Sequence, residues 1–131
     1  MEEVFKTTQR EANHRKSLFR KAEINFYLEQ DKVEVYRHDV EEAEAMLERI
    51  VVKMAQYRCD VLSPNHCTVE EVGLFMQMAQ ERDSCKAQLN SLRKKLNQSV
   101  NERQHWFQKK EKHKASMKYS MALLKKQKIK Q

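Results

Sequence analysis

From Phe5 onward, steps of three and four residues pick out Phe5, Thr8, Ala12, Arg15, Phe19, Ala22, Phe26, Glu29, Val33, Tyr36, Val40, Ala43, Leu47, Ile50, Met54, Tyr57 and Val61. Thr8, Arg15 and Glu29 alone interrupt an otherwise apolar row. A mean period of 3.5 over that length is the mark of a coiled-coil helix, because the stripe of a globular helix drifts at 3.6. The spacing predicts a straight first arm over about 4 to 62, roughly 90 Å long at the α-helical rise per residue. A second arm keeps the beat through Val72, Phe75, Ala79, Arg82, Lys86, Leu89, Arg93, Leu96, Val100, Arg103 and Phe107. Neighbours such as Met76, Cys85, Leu92 and Trp106 share the load of that row, and beyond Phe107 it thins to Met117, Met121 and Leu124.

Between the arms lies the only proline of the chain, Pro64. Proline lacks an amide donor and drives the residue before it out of the helical region, so the first helix should stop near Leu62. Asn65 suits the same turn. Thr68 followed by Glu71 forms a capping box, in which hydroxyl and carboxylate each satisfy the other residue's amide, and a second helix follows from about 69 to 126. A turn of about 63 to 68 is short enough to place the arms side by side. The expected architecture is all-α, two long helices forming one antiparallel coiled-coil hairpin over residues 1–131, with residue i facing roughly 128 − i.

Charge supports this pairing. Residues 29 to 48 carry eight acids against Lys32 and Arg37, a net of −6, and their expected partners, 80 to 99, carry five bases against Glu81 and Asp83, a net of +3. Composition agrees with long helices, since 34% of the residues are charged and there is one glycine, Gly73. No apolar run approaches the ~20 residues of a membrane span. The start Met-Glu-Glu-Val-Phe-Lys has neither the basic nor the apolar block of an export signal, so a cytoplasmic protein is expected.

The formal net charge is +7, and residues 109 to 131 account for it with nine lysines against Glu111, a net of +8. Beside them in the hairpin lie the first twenty residues, with Lys6, Arg10, Arg15, Lys16 and Arg20 against three glutamates. An open end so basic attracts acidic surfaces and makes binding sensitive to salt. Trp106 and Phe107 stand where the lysines begin. They either close the apolar seam or form an anchor of the kind enriched at interfaces.

Catalytic chemistry is not expected. One glycine cannot build a phosphate-binding loop, and His14, His38, His66, His105 and His113 have no nucleophile or paired carboxylate at a useful spacing. Cys59, Cys67 and Cys85 read as free thiols without zinc-ligand spacing, and neither metal nor cofactor is expected.

The second arm carries Thr68-Val-Glu-Glu-Val72, Leu89-Asn-Ser-Leu92, Glu102-Arg103, Trp106 and Lys109-Lys110 in an order that resembles the injectisome members of the type III secretion central-stalk proteins, the FliJ-like and YscO-like family. The resemblance implies a virulence-associated protein-transport role at the cytoplasmic face of the secretion apparatus. The open end would enter the pore of a hexameric export ATPase and promote its activity. The hairpin would link that enzyme to the export gate protein, and some members also bind secretion chaperones. Contact with the membrane would then be only indirect. Position and chemistry select Arg10, Lys16, Arg20, Arg103, Trp106, Lys109 and Lys110 for the ATPase, and Leu62, His66, Val69, Phe75 and Met78 for the gate or a chaperone. The competing reading is a coiled-coil scaffold or nucleic-acid-binding protein using the lysine-rich tail. With no arginine after Arg103, such a tail would touch phosphates without reading sequence.

Overall fold

The computed structural model describes residues 2–62 and 67–130. Helix α1 spans Glu2–Tyr57 and continues into one π-helical turn, Arg58–Leu62, and helix α2 spans Val69–Lys130. The fold is all-α, a hairpin of two long helices packed against each other. Pro64 and Asn65 lie outside the described residues. None of the described helices is long and apolar enough to cross a membrane.

The start of α2 follows from its cap. The amide of Glu71 donates to Thr68 Oγ1 at 3.1 Å, and the amide of Thr68 donates to Glu71 Oε1 at 3.3 Å. Two of the donors that a helix start leaves without partners are thereby satisfied. The end of α1 departs from the expected regular helix, because its last turn widens to π geometry. π turns cost hydrogen-bond quality and are usually confined to one turn.

All seventeen seam positions from Phe5 to Val61, sixteen in α1 and the last in the π turn, are buried or half-buried. The seam of α2 is different from the expected one. An unbroken alternation of four and three runs through the shielded Glu71, Phe75, Met78, Arg82, Cys85, Leu89, Leu92, Leu96, Ser99, Arg103, Trp106, Lys110, His113, Met117, Ser120, Leu124 and Gln127, and the expected Ala79 and Val100 beside it are half-buried as well. One position per heptad agrees with the sequence reading and the other lies one residue earlier. Val72, Lys86, Arg93 and Phe107 are exposed, while Met78 is shielded and, of the neighbours expected to share the seam, Cys85, Leu92 and Trp106 are shielded and Met76 is exposed. Side chains of one seam must share one face, and apolar neighbours such as Val72 and Phe107 drew the reading onto the adjacent row.

The chain divides into two compact units, Met1–Val33 with Gln98–Gln131, and Glu34–Asn97. In the first, Arg15 Nη1 donates to the Ser116 carbonyl at 3.4 Å, Arg103 Nη1 donates to Gln30 Oε1 at 3.5 Å, and the Phe26 and Phe107 rings lie 5.8 Å apart. Its buried residues are mostly small, namely Ala12, Ala22, Ser99 and Ser120 with Val33, which lets the backbones approach closely. In the second unit, Val40, Met54 and Leu89 are buried and Tyr57 stacks on Phe75 at 6.5 Å. Glu44 meets Arg93 at 3.2 Å, an ion pair between the acidic and basic stretches. Both units are antiparallel. Their register is shifted, however: Phe26 meets Phe107 where 102 was expected, and Tyr57 reaches Phe75 as well as the expected 71. Glu44 likewise meets Arg93 where 84 was expected, so the partners on α2 lie farther toward the C-terminus than the expected register puts them.

Candidate functional site

Unit by unit, charge is strongly segregated. The unit of Met1–Val33 and Gln98–Gln131 carries seventeen lysines and arginines against eight acids, for +9; the unit Glu34–Asn97 carries nine against eleven, for −2. Among the described residues of the basic unit, only Arg15 and Lys32 stand within ion-pair distance of a carboxylate, that of Glu11 and that of Glu29. Its exposed cations, Arg10, Lys16, Arg20 and Lys109 among them, have no carboxylate at that distance, and their mutual repulsion is relieved when an anionic surface arrives.

The expected ATPase contacts fall into two groups. Arg10, Lys16, Arg20 and Lys109 are exposed, whereas Arg103, Trp106 and Lys110 occupy seam positions and are half-buried. Arg103 is engaged with Gln30. Lys110 Nζ lies 4.6 Å from the Phe26 ring centroid, 5.4 Å from that of Phe107 and 6.0 Å from that of Tyr27. A cation at a core position is thus held by three ring faces. Beside it, Lys109 Nζ sits 5.1 Å over Trp106, whose ring also meets His105 edge-on at 5.4 Å. Trp106 lies half-buried within the seam, while Phe107 beside it is 41% exposed.

Sequence reasoning missed two features here. Tyr27 joins Phe26, Phe107 and Lys110 in one aromatic cluster, edge-on to Phe26 at 5.4 Å, and remains 56% exposed. Ile24 and Leu28, one turn apart on the same helix, are exposed with it. Apolar residues three and four apart signal a helix face, and this one lies off the seam. Farther along α2, Lys112, Lys118, Lys125, Lys126 and Lys128 are exposed, as are Tyr119 and Ile129.

In the unit Glu34–Asn97 the expected gate or chaperone contacts also divide. Val69 is 85% exposed, Leu62 is half-buried, and Phe75 and Met78 face α1 on the seam. His66 lies outside the described residues. The outward apolar side chains near the start of α2 are instead Val72, Leu74 and Met76. A Cβ built on Gly73, among them, meets nothing within 4 Å, so no packing contact requires a glycine there.

Tyr57 ties the end of α1 to the start of α2, its hydroxyl donating to the Glu71 carbonyl at 2.9 Å. Desolvation pushes its pKa above the ordinary value, and the charges of Glu71 and Cys67 add to the shift. Cys59, Cys67 and Cys85 are free thiols. Among the described residues no three His, Cys, Asp or Glu side chains converge as metal ligands. Grooves flank the seam of this unit. One of about 450 Å³ is lined by Met46, Arg49, Ile50, Lys53, Glu81, Ser84 and Cys85.

No protein-family profile, no curated protein and no solved structure matches this chain.

Proposed function

We propose that this protein is the central stalk of a bacterial type III secretion system. In this reading the unit of Met1–Val33 and Gln98–Gln131 enters the pore of the hexameric export ATPase and promotes its activity, and the unit Glu34–Asn97 reaches toward the export gate. The observation that carries the reading is the charge difference of +9 against −2 between the two units, with both chain termini in the basic one. A pore lined by backbone carbonyls and carboxylates would receive such a unit, and the exposed Tyr27 and Phe107 rings would supply apolar contacts within it.

The role is mechanical and needs no catalytic group in the stalk. A single asymmetric helix pair in a near-sixfold ring contacts the subunits unequally, and unequal contact energies bias their conformations. Exposed Arg10, Lys16, Arg20 and Lys109 are the contacts assigned to the ATPase. Arg103, Trp106 and Lys110 act one step behind, holding the helix pair that presents them. Exposed Val69, with Val72 and Met76, is the part of the other unit offered to the gate protein or a secretion chaperone.

Co-elution with the cognate export ATPase tests this reading. The wild-type chain should elute with the hexamer at moderate salt and separate at high salt. Arg10→Glu/Lys16→Glu/Arg20→Glu, which alters only exposed side chains, should elute apart from it with unchanged helicity. Co-elution unaffected by the triple reversal would refute the assigned contacts, and no co-elution of the wild type at any salt would refute the stalk reading.

A further inference from the structure

Three exposed carboxylates on α1, Glu34, Glu41 and Glu48, recur every seven residues and so share one face beside the seam. None stands within ion-pair distance of a cation among the described residues; the neighbouring Glu42 meets only His38 and Glu44 only Arg93. On α2, Lys112, Tyr119 and Lys126 form a row of the same period, with Lys118 and Lys125 on the adjacent row. These lysines are exposed and likewise have no carboxylate at ion-pair distance among the described residues. Each row also carries an exposed apolar partner beside a charge, since Val35 follows Glu34 at 58% exposure and Tyr119 follows Lys118 at 64%.

The glutamate row and the lysine rows have opposite charge and equal period, with Tyr119 at the middle rung between Lys112 and Lys126 and Glu111 opening the row of Lys118 and Lys125. Flanking charges of this kind choose partners and register between coiled-coil helices. The acidic row belongs to the unit Glu34–Asn97 and the lysine rows to the unit of Met1–Val33 and Gln98–Gln131. We propose that the occupant of each is a second copy of this chain, the lysine rows of one copy lying along the glutamate row of the other. Because the pairs are exposed, the association is reversible and weakens with salt. It would sequester lysines of the basic unit until a more strongly anionic partner displaces the second copy. This self-pairing stands whether or not the partner is an export ATPase.

Sedimentation velocity over a range of protein concentrations, at low ionic strength and at ~0.5 M salt, is the test. Twice the monomer mass of 15.8 kDa is expected at low salt and the monomer at high salt. Two sets of charge reversals, Glu34→Lys/Glu41→Lys/Glu48→Lys and Lys112→Glu/Lys118→Glu/Lys125→Glu, should each be monomeric at low salt with unchanged circular dichroism. An equimolar mixture of the two should pair again, because each then presents the complement of the other. A wild type that is monomeric at low salt at every concentration would overturn the proposal, as would a dimer that survives either reversal or a mixture that stays monomeric.

Discussion

Lys110 Nζ stands 4.6 Å from the centroid of the Phe26 ring, a cation at a core position of α2 held over an aromatic face of α1. The contact exchanges some burial energy for register, since a lysine fits there only where rings await it. Phe26→Ala removes the ring under Lys110 and the 5.8 Å contact with Phe107. Phe26 is half-buried, so the loss should be about 2 kcal/mol, below the range for a fully buried phenylalanine. Lys110→Leu should instead raise stability by about 1 kcal/mol through apolar burial that outweighs one cation–π contact. Urea unfolding of both variants checks the pair of signs.

At the start of α2 the reciprocal bonds of Thr68 and Glu71 make a local prediction. Thr68→Ala should cost about 1 kcal/mol, as removal of a helix cap does. Amide hydrogen exchange should accelerate first in the opening turns of α2, and unchanged exchange there would show the cap to be energetically idle.

Gly73 gives the opposite sign. Its outward face is empty, so Gly73→Ala should stabilise the helix by about 1 kcal/mol. Thermal unfolding measures this. A fall in Tm would mean that the backbone at this position requires glycine for a reason other than packing.

Tyr57 predicts an alkaline limit. Its hydroxyl donates to the Glu71 carbonyl, and its folded-state pKa is raised by desolvation, then by Glu71 and Cys67. A raised folded value means that the stabilisation is complete below the unfolded value of 10.0 and is lost as pH climbs through the folded one. Phenolate can no longer donate. Tyr57→Phe keeps the ring on Phe75 but lacks the donor, so it should have a lower Tm at neutral pH, and the gap to wild type should close above about pH 10. A gap constant across that range would show that Tyr57 does not titrate against its hydrogen bond.

How far the chain could be read in advance differs between its helices. In α1 the seam is written in Phe, Val, Tyr, Leu and Met, and even Thr8, Arg15 and Glu29 fall where the period puts them. The seam of α2 carries Arg82, Ser99, Arg103, Lys110, His113, Ser120 and Gln127, while Val72 and Phe107 sit one residue aside and mimic a core. A polar residue reveals itself as a seam residue only through what it meets on the other helix, as Arg103 meets Gln30 and Lys110 meets Phe26. The ion pair of Glu44 and Arg93 was foreshadowed by regional charge, but not its register, since a charge balance over twenty residues does not choose among neighbouring turns. At the basic unit, net charge was legible from the lysine count. Which cations stay outside and which are held by rings was not, because that depends on the phase of α2.

The stalk reading is tested most directly by the ATP hydrolysis rate of the purified cognate export ATPase, titrated with the full chain and with Arg10→Glu/Lys16→Glu/Arg20→Glu. The account predicts stimulation that saturates near one chain per hexamer and is lost in the triple variant. Hydrolysis that is unchanged by the full chain at every ratio would contradict it.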